Sequence, residues 1–423
     1  MMRSLFAAIS GLQNHVTFMD VVGNNIANVN TQGYKASRVT FQDMLTQNIA
    51  GASAPTPDRG GTNPQQIGLG MKLGGIGVMH TQGALQATGN NTDFAIQGSG
   101  FFVVKDGLRT FYTRDGAFDV SVTGEMVNPT NGFKVQGWTA DTNGLVDLTT
   151  AVGSINIPLG QSIGAQETTL VEFAGNLDSR AATGDAYSTT IDVYDSLGAA
   201  HPVVVTYTKN VAPNTWDVTV TSADPNVNAL TVDVDGVGGT QAVFDAAGRL
   251  TTTGTPMTID VDLMTASGAG TTGAVDFVIS TDIDNLTQFA ATGQIAPTYN
   301  NGYSAGQLLT FSVGTGGDIT GIFSNGTTKT LGQMAVAAFT NPAGLQRAGS
   351  NNFEATSNSG IALVGTPGTG GRGAIGAGVL EGSNTDLARE FTNVVVAQRG
   401  FQASSRIIST ADEMLESLVN LIR

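Results

Sequence analysis

Read in steps of seven, the last forty residues place Leu387, Val394, Phe401, Ile408, Leu415 and Ile422 on one line, all apolar, with Phe391 four residues after Leu387. The first thirty residues do the same with Leu5, Leu12, Met19 and Ile26, and Ile9 and Val16 stand four residues after Leu5 and Leu12. A spacing of seven with intermediates at +3 or +4 is a coiled-coil seam rather than an ordinary helix face. The pattern predicts one helix over residues 3–28 and another over 383–423. Seams at opposite ends of one chain predict that the ends meet and that everything between them is a single excursion. Both seams look imperfect. Gly23 falls where the first seam calls for an apolar residue, at a cost of about 1 kcal/mol. Gln398, Ser405 and Asp412 fall at intermediate positions of the second.

Between the helices the period changes from seven to two. Phe94 and Ile96 alternate with polar neighbours, and Phe101-Phe102-Val103-Val104 follows a Gly-Ser-Gly. Turns recur at Lys105-Asp106-Gly107, Arg114-Asp115-Gly116, Val122-Thr123-Gly124 and Thr130-Asn131-Gly132, the spacing of consecutive hairpins. Alternation continues through Thr189-Ile191-Val193, residues 201–208 and Trp216-Val218-Val220, and later through 308–313, 319–323 and 333–340. The expected class is α+β, mostly β: terminal helices pairing as a coiled coil, and two β-rich domains, the outer inserted into the inner. The expected boundaries are 1–35 and 383–423 for the axial helices, and 36–70 and 349–382 for an extended connector. They are 71–145 and 286–348 for the inner β-domain, and 146–285 for the inserted acidic one, a small barrel or sandwich. Ser383 or Asn384 reads as the N-cap of the second helix, with Asp386 in its first turn.

Charge sharpens this division. The chain has 423 residues and a net charge of −15. Residues 141–285 hold 18 Asp and Glu against three Lys and Arg, so they carry the whole imbalance. An acidic module lacking clustered Lys and Arg argues against nucleic-acid binding and suits a solubilising outer surface. No stretch approaches the length of a membrane helix, so no membrane insertion is expected. Cysteine is absent, which removes disulfides and thiolate metal sites. Residues 1–12 lack a proper apolar core and cleavage site, so export, if it occurs, is expected without a cleaved signal.

Candidate chemistry is sparse, and no enzyme activity, cofactor or metal is expected. Residues 160–164 and 302–306 both match G-x-S-x-G, but neither sits between a strand and a helix, as a nucleophile elbow must. His15, His80 and His201 read as structural histidines. Residues 368–373 match G-x-G-x-x-G without a following helix, and Asp233, Asp235, Asp282 and Asp284 read as turn residues rather than Ca²⁺ ligands.

The Asn-rich run Asn24-Asn25-Ile26-Ala27-Asn28-Val29-Asn30-Thr31-Gln32-Gly33-Tyr34-Lys35 resembles the N-terminal signature of the flagellar rod and hook axial proteins. Gln82-Gly83-Ala84-Leu85, the stretch 93–104 and Tyr112-Thr113-Arg114-Asp115-Gly116-Ala117-Phe118 resemble the same family. So do Leu380-Glu381-Gly382-Ser383-Asn384-Thr385-Asp386-Leu387 and Gln398-Arg399-Gly400-Phe401 at the other end, where Thr385 replaces a usual aliphatic residue. Asp195-Ser196-Leu197-Gly198 and the stretch 324–342 are nearer to the hook members than to the rod members. Length points the same way if a distal-rod protein lacks most of 141–285. The resemblance implies an architectural role in the bacterial flagellum, as a helical homopolymer forming a curved hollow tube. It implies rod, hook-cap and hook–filament junction proteins as partners, a basal-body and extracellular location, and passage through the flagellar type III exporter. Asn24, Asn25, Asn28, Asn30, Thr31, Gly33, Tyr34, Ser383, Asn384, Asp386, Gln398 and Arg399 are the motif positions it singles out. A distal-rod protein is the nearest alternative. A surface adhesin explains the acidic β-content but not the seams. A polysaccharide-active enzyme explains the Gly-, Asn- and Thr-rich β-composition but lacks a convincing carboxylate pair or a cleavable signal.

Overall fold

The computed structural model describes residues 2–421 apart from 56, 58, 142–143, 161, 237, 252–255 and 264–275. Two compact units divide the chain. One comprises Met1–Pro158, Phe311–Thr320 and Thr330–Arg423, and the other Leu159–Thr310 and Gly321–Lys329. The second unit thus runs past the edge expected at residue 285. Charge marks a surface, whereas the unit is defined by its core, and the strand Gln294–Asn300 completes that core.

In the first unit, helix α1 spans Met2–Ala27 and helix α2 spans Leu387–Leu421. The Asn residues end α1 through their side chains: Asn28 Nδ2 donates to the Asn24 carbonyl at 2.9 Å, and Thr31 Oγ1 donates to Asn28 Oδ1 at 3.1 Å. Such local bonds compete with further helical turns. At the start of α2 the cap is Asp386, not Ser383 or Asn384. Its Oδ1 accepts from the Ala388 and Arg389 N–H groups at 3.0 and 3.3 Å. Asn384 is committed elsewhere, accepting from the Ala36 N–H at 2.7 Å and donating to the Met79 carbonyl at 2.7 Å.

The segment expected as a loose connector after α1 is a hydrogen-bonded ribbon. Ser37–Asp43 pairs antiparallel with Met71–Val78, and Thr46–Ala50 with Gln65–Gly68. Its backbone groups find partners across the ribbon, which a sequence rich in Gly and Pro does not announce. Every described residue from Thr40 to Gly68 is exposed. Residues 349–382 are not a connector either. They supply Asn352–Glu354, Leu363–Gly365, Ala374–Ala377 and Val379–Glu381, which pair with strands of this unit such as Arg109–Thr113, Val336–Ala338, Phe94–Gln97 and Leu85–Ala87.

Three of the four predicted hairpin turns form; Arg114-Asp115-Gly116 joins no paired strands, because Arg109–Thr113 pairs with Phe101–Asp106 and Asn352–Glu354 instead. Phe101–Asp106 and Arg109–Thr113 are joined by a two-residue turn at Gly107-Leu108, with Gly107 at φ 54°. Val336–Ala338 returns to pair with Phe101 and Phe102, so early and late parts of the chain share one sheet. Phe101, Val103, Tyr112, Trp138, Phe339 and Phe353 form its core, with Phe101 edge-on to Phe339 and Phe353 at 5.8 Å each.

The second unit is a β-sandwich. Its larger sheet has the order Val227–Asp233, Met257–Leu263, Phe277–Thr287, Leu170–Asn176 and Gln294–Asn300. Its smaller sheet runs Ala186–Tyr194, Ala200–Lys209, Thr215–Ser222 and Gln241–Val243. Alternate residues face one core built on Phe173, Tyr207, Trp216 and Ile279.

Candidate functional site

The helix pair and its root carry the features that distinguish this chain from an ordinary β-protein. α1 and α2 pack against each other on small residues. On α2 the inward line is Glu390, Val394, Ala397, Phe401, Ser404, Ile408, Ala411 and Leu415, a heptad in which Glu390, Ala397 and Ala411 are buried. The intermediates therefore lie three residues after the apolar line, not four. Gln398, Ser405 and Asp412 are exposed and are not flaws in the seam. On α1 the most buried positions are Ala8, Gly11, Val22 and Asn25, one residue before Ile9, Leu12 and Ile26. A Cβ on Gly11 would stand 3.0 Å from Ser404 Oγ, and one on Gly400 would stand 2.5 Å from the His15 ring. Small residues let the backbones approach, and that choice sets the register.

On α1 the predicted apolar line consequently flanks the contact, whereas on α2 it supplies the larger half of the inward line, alternating with Glu390, Ala397, Ser404 and Ala411. Leu5, Ile9, Leu12, Met19, Ile26, Val394, Phe401, Ile408 and Leu415 are half-buried, and Val16, Leu387 and Phe391 are exposed. Ile422 lies outside the described residues. Phe6 at 61%, Phe391 at 56% and Val396 at 56% exposure show how much apolar surface the pair leaves uncovered.

At the root, where α1 ends and α2 begins, four separated stretches meet on one carboxylate. Glu381 Oε1 lies 2.6 Å from Lys35 Nζ and accepts from the Gly83 N–H at 2.8 Å, and Glu381 Oε2 lies 3.2 Å from the Arg114 guanidinium. Lys35 also donates to the Thr81 carbonyl at 2.8 Å, and Arg114 to the Gly98 carbonyl at 2.7 Å. The Lys35 and Glu381 side chains are fully buried and that of Arg114 is 3% exposed. Burial holds the Lys35 ammonium below its ordinary value, opposed by Glu381. His80 stands beside this cluster, 5.4 Å from the Phe101 and Phe353 rings. Burial, and then the charges of Lys35, Arg114 and Arg347, push its pKa down to about 4.

The motif residues are the joints of this root. Asn25 donates to the Ser37 carbonyl at 2.8 Å, accepts from the Ser37 N–H at 2.9 Å, and reaches Glu390 of α2 at 3.4 Å. Tyr34 donates to Asn25 Oδ1 at 3.2 Å and stacks under Arg347 at 4.9 Å. Gly33 has φ 67°, and its N–H donates to the Glu381 carbonyl at 2.8 Å. A Cβ there would sit 2.5 Å from the Asp115 nitrogen, so only glycine fits. Ser383 Oγ accepts from the Thr385 N–H at 3.2 Å. Asn24 and Asn30 are exposed, and so are Gln398 and Arg399, which the structure does not bring to the root. Glu381, Arg114 and His80 were not singled out as site residues. Glu381 and His80 each stand as the one ionisable group in an apolar or Gly-rich stretch, whereas Arg114 is masked by the adjacent Asp115.

The enzyme-like motifs resolve into turns and strands. Asp282 and Asp284, expected in a turn, lie within the strand Phe277–Thr287. In the first G-x-S-x-G, Ser162 starts the strand Ser162–Ile163, and residue 161 lies outside the described residues. His201 is clamped at both ring nitrogens, with Asp224 Oδ2 2.6 Å from Nδ1 and Asp195 Oδ2 3.4 Å from Nε2, which leaves no free nitrogen to activate a serine. Ser304 precedes the strand Gly306–Val313 rather than a helix. The glycines at 368–373 close a turn through the Gly368 N–H to the Gly373 carbonyl. Asp233 and Asp235 accept from the N–H groups of Gly236 and Gly239 at 2.9 and 2.8 Å. Among the described residues, no helix is long and apolar enough to cross a membrane.

Four family models match this chain in order. They are the flagella basal body rod protein over residues 5–35, the flagellar hook protein FlgE/F/G D1 domain over 95–174, the flagellar basal body protein FlaE D2 domain over 164–303, and the flagellar basal body rod FlgEFG protein C-terminal model over 377–421. The flagellar hook protein FlgE of Treponema pallidum is 41% identical over 463 residues, covering all of both chains. The chain belongs to the flagellar hook protein FlgE family. The crystal structure of Helicobacter pylori flagellar hook protein FlgE2 shares the fold, with a TM-score of 0.50 and 15% identity over 69% of this chain and 98% of that one. The expectation that length separates hook from rod members fails. The flagellar basal-body rod protein FlgG of Bacillus subtilis is 31% identical over 424 residues, covering all of both chains. Within this family the middle of the chain is no mark of the hook by its length alone.

Proposed function

We propose that this chain is a structural subunit of the bacterial flagellar hook. Copies stack helically through their paired terminal helices into a hollow, curved tube that joins rod to filament as a universal joint and serves as an export channel. The observation that carries this reading is the helix pair. It closes on Ala8, Gly11, Ala397 and Ala411 and leaves Phe6, Val16, Phe391, Val396, Ile407 and Met414 exposed. A helix pair that needed only itself would bury its large apolar residues and expose its small ones. Contacts with the rod, the hook cap, the hook–filament junction and the type III exporter, and an extracellular location without a cleaved signal, belong to the same reading. The Asp- and Glu-rich second unit suits a surface that slides against copies of itself without sticking.

The test is negative-stain microscopy of the purified chain under precipitating salt. Curved tubes are the expected result, and the absence of any polymer would overturn the reading. Straight tubes would favour a rod subunit, the reading that the full-length similarity to the Bacillus subtilis rod protein supports.

A further inference from the structure

We infer that the last described turns of α2 in one copy of this chain dock into a groove at the root of the helix pair in the next copy. This rests on the reading of the chain as a stacking subunit, and it names the two surfaces that meet. The groove has a volume of about 210 Å³ and lies between the two helices and the start of the ribbon. Phe18 and Val22 of α1, with Val39 and Met79 from the ribbon side, give it an apolar lining. Arg38 and Arg389 line it too, and both are exposed. Neither makes an ion pair among the described residues. The one carboxylate in the lining, Glu390, is buried and held by Asn25 and Asn393 at 3.4 and 3.3 Å. The groove thus presents apolar surface beside two guanidiniums with no anion of their own.

The complementary surface stands at the other end of the same helices. Gly11 against Ser404, His15 against Gly400 and Asn25 beside Glu390 fix an antiparallel register that sets Met2 level with Glu413. From there α2 runs on to Leu421, about 12 Å further. Steps of three put Glu413, Glu416 and Val419 on one stripe of this overhang. All three are exposed, Val419 by 62%, and neither carboxylate makes an ion pair among the described residues. From Ile407 to Leu421 the helix carries Asp412, Glu413 and Glu416 and no Lys or Arg, and Arg3 of α1 stands level with Asp412, short of the overhang. An apolar residue beside two carboxylates matches an apolar groove beside two guanidiniums. The two surfaces cannot meet within one copy, because Arg389 and Glu413 lie about 36 Å apart along one continuous helix. The complement must come from a second copy. A contact between two different faces of identical chains repeats head to tail, and where the rotation does not close it grows a helical filament.

Two double substitutions test this. Glu413→Arg with Glu416→Arg reverses the overhang, and Arg38→Glu with Arg389→Glu reverses the groove. All four side chains are exposed, so the melting temperature of the monomer should stay unchanged. Each variant alone opposes like charges at every contact, and its critical concentration for polymerisation should rise about tenfold or more. Mixed in equal amounts, the two variants should form tubes again close to the unsubstituted concentration, because each overhang then meets an oppositely charged groove in the other variant. A side chain that mattered only for folding gives no such rescue. Variants that polymerise like the unsubstituted chain, or a mixture no better than its parts, overturn the contact. If a reversed variant melts lower, a cross-link replaces it. The chain has no cysteine, so Arg389→Cys with Val419→Cys, treated with a short bismaleimide after tube formation, should give a ladder of joined chains. The two positions lie about 45 Å apart in one copy, so the linker cannot join them there. Monomers, or dimers without higher rungs, would overturn the contact. If the unsubstituted chain forms no tubes, the hook-subunit reading fails first and the contact falls with it, whereas tubes that ignore the reversals sink the contact alone.

Discussion

Replacing Glu381 by Gln removes the one carboxylate that Lys35 and Arg114 share while keeping the shape of the side chain. Both cations are then buried without a counter-charge, 0% and 3% exposed at the side chain. Breaking a buried pair in this way costs about 3–5 kcal/mol, far more than the fraction of a kcal/mol expected of an exposed pair. The first unit should lose that much stability at pH 7. The chain has two tryptophans, and the structure puts one in each core: Trp138 in the first unit and Trp216 in the second. A urea titration followed by Trp138 fluorescence in a Trp216→Phe background therefore reads the first unit alone. The loss should also depend on pH, with a definite sign. Burial already holds the Lys35 pKa below 10.5. With the carboxylate gone it falls further, and Lys35 can shed its proton in the folded state. The unfolded chain then binds more protons than the folded one below pH 10.5, so folded stability rises with pH and the cost of the substitution shrinks. Replacing Lys35, Arg114 and Glu381 together by Met should recover most of the loss, because nothing charged remains to be desolvated. A Glu381→Gln loss under about 1 kcal/mol, unchanged between pH 7 and pH 10, would refute the claim that this cluster holds the root together.

Other outcomes follow from single positions. His80 is depressed to about 4 from 6.5, so the unfolded chain takes up its proton first as pH falls. First-unit stability should drop by about 3 kcal/mol between pH 6.5 and pH 4, and His80→Phe should flatten that slope in the same urea assay. Gly33→Ala forces a Cβ into a left-handed residue 2.5 Å from the Asp115 nitrogen; the expected cost is about 1–3 kcal/mol by thermal melt, and a neutral result would contradict the geometry. Two helix glycines should respond with opposite signs. Gly23→Ala meets nothing within 4 Å and should raise helix content by circular dichroism, worth about 1 kcal/mol, whereas Gly400→Ala should lower it by pushing His15 off α2.

Much of this architecture is legible in one dimension because it rests on short periods. The heptads of Leu5 to Ile26 and Leu387 to Leu415 specify helices, and the Asp-Gly and Asn-Gly turns between alternating runs specify hairpins, since both signals sit within a few residues of where they act. The register of the helix pair was not legible. Sequence periodicity favours the large apolar line, whereas the backbones close on Gly11, Ala397, Gly400 and Ala411, because only small residues allow that approach. The ribbon at 37–78 was hidden for a related reason: its cohesion is backbone pairing, which leaves no side-chain period.

By itself the sequence determined that the two ends are helical, that the middle is β, and that the negative charge belongs to one segment. Each of these is a sum of local preferences and needs no partner from far along the chain. Only the tertiary structure decided that Lys35, Gly83, Arg114 and Glu381 meet on one carboxylate, or that Asn25 reaches Glu390. Those residues lie tens to hundreds of positions apart. A buried charge declares its partner through distance and desolvation, which exist once the chain has folded and not before.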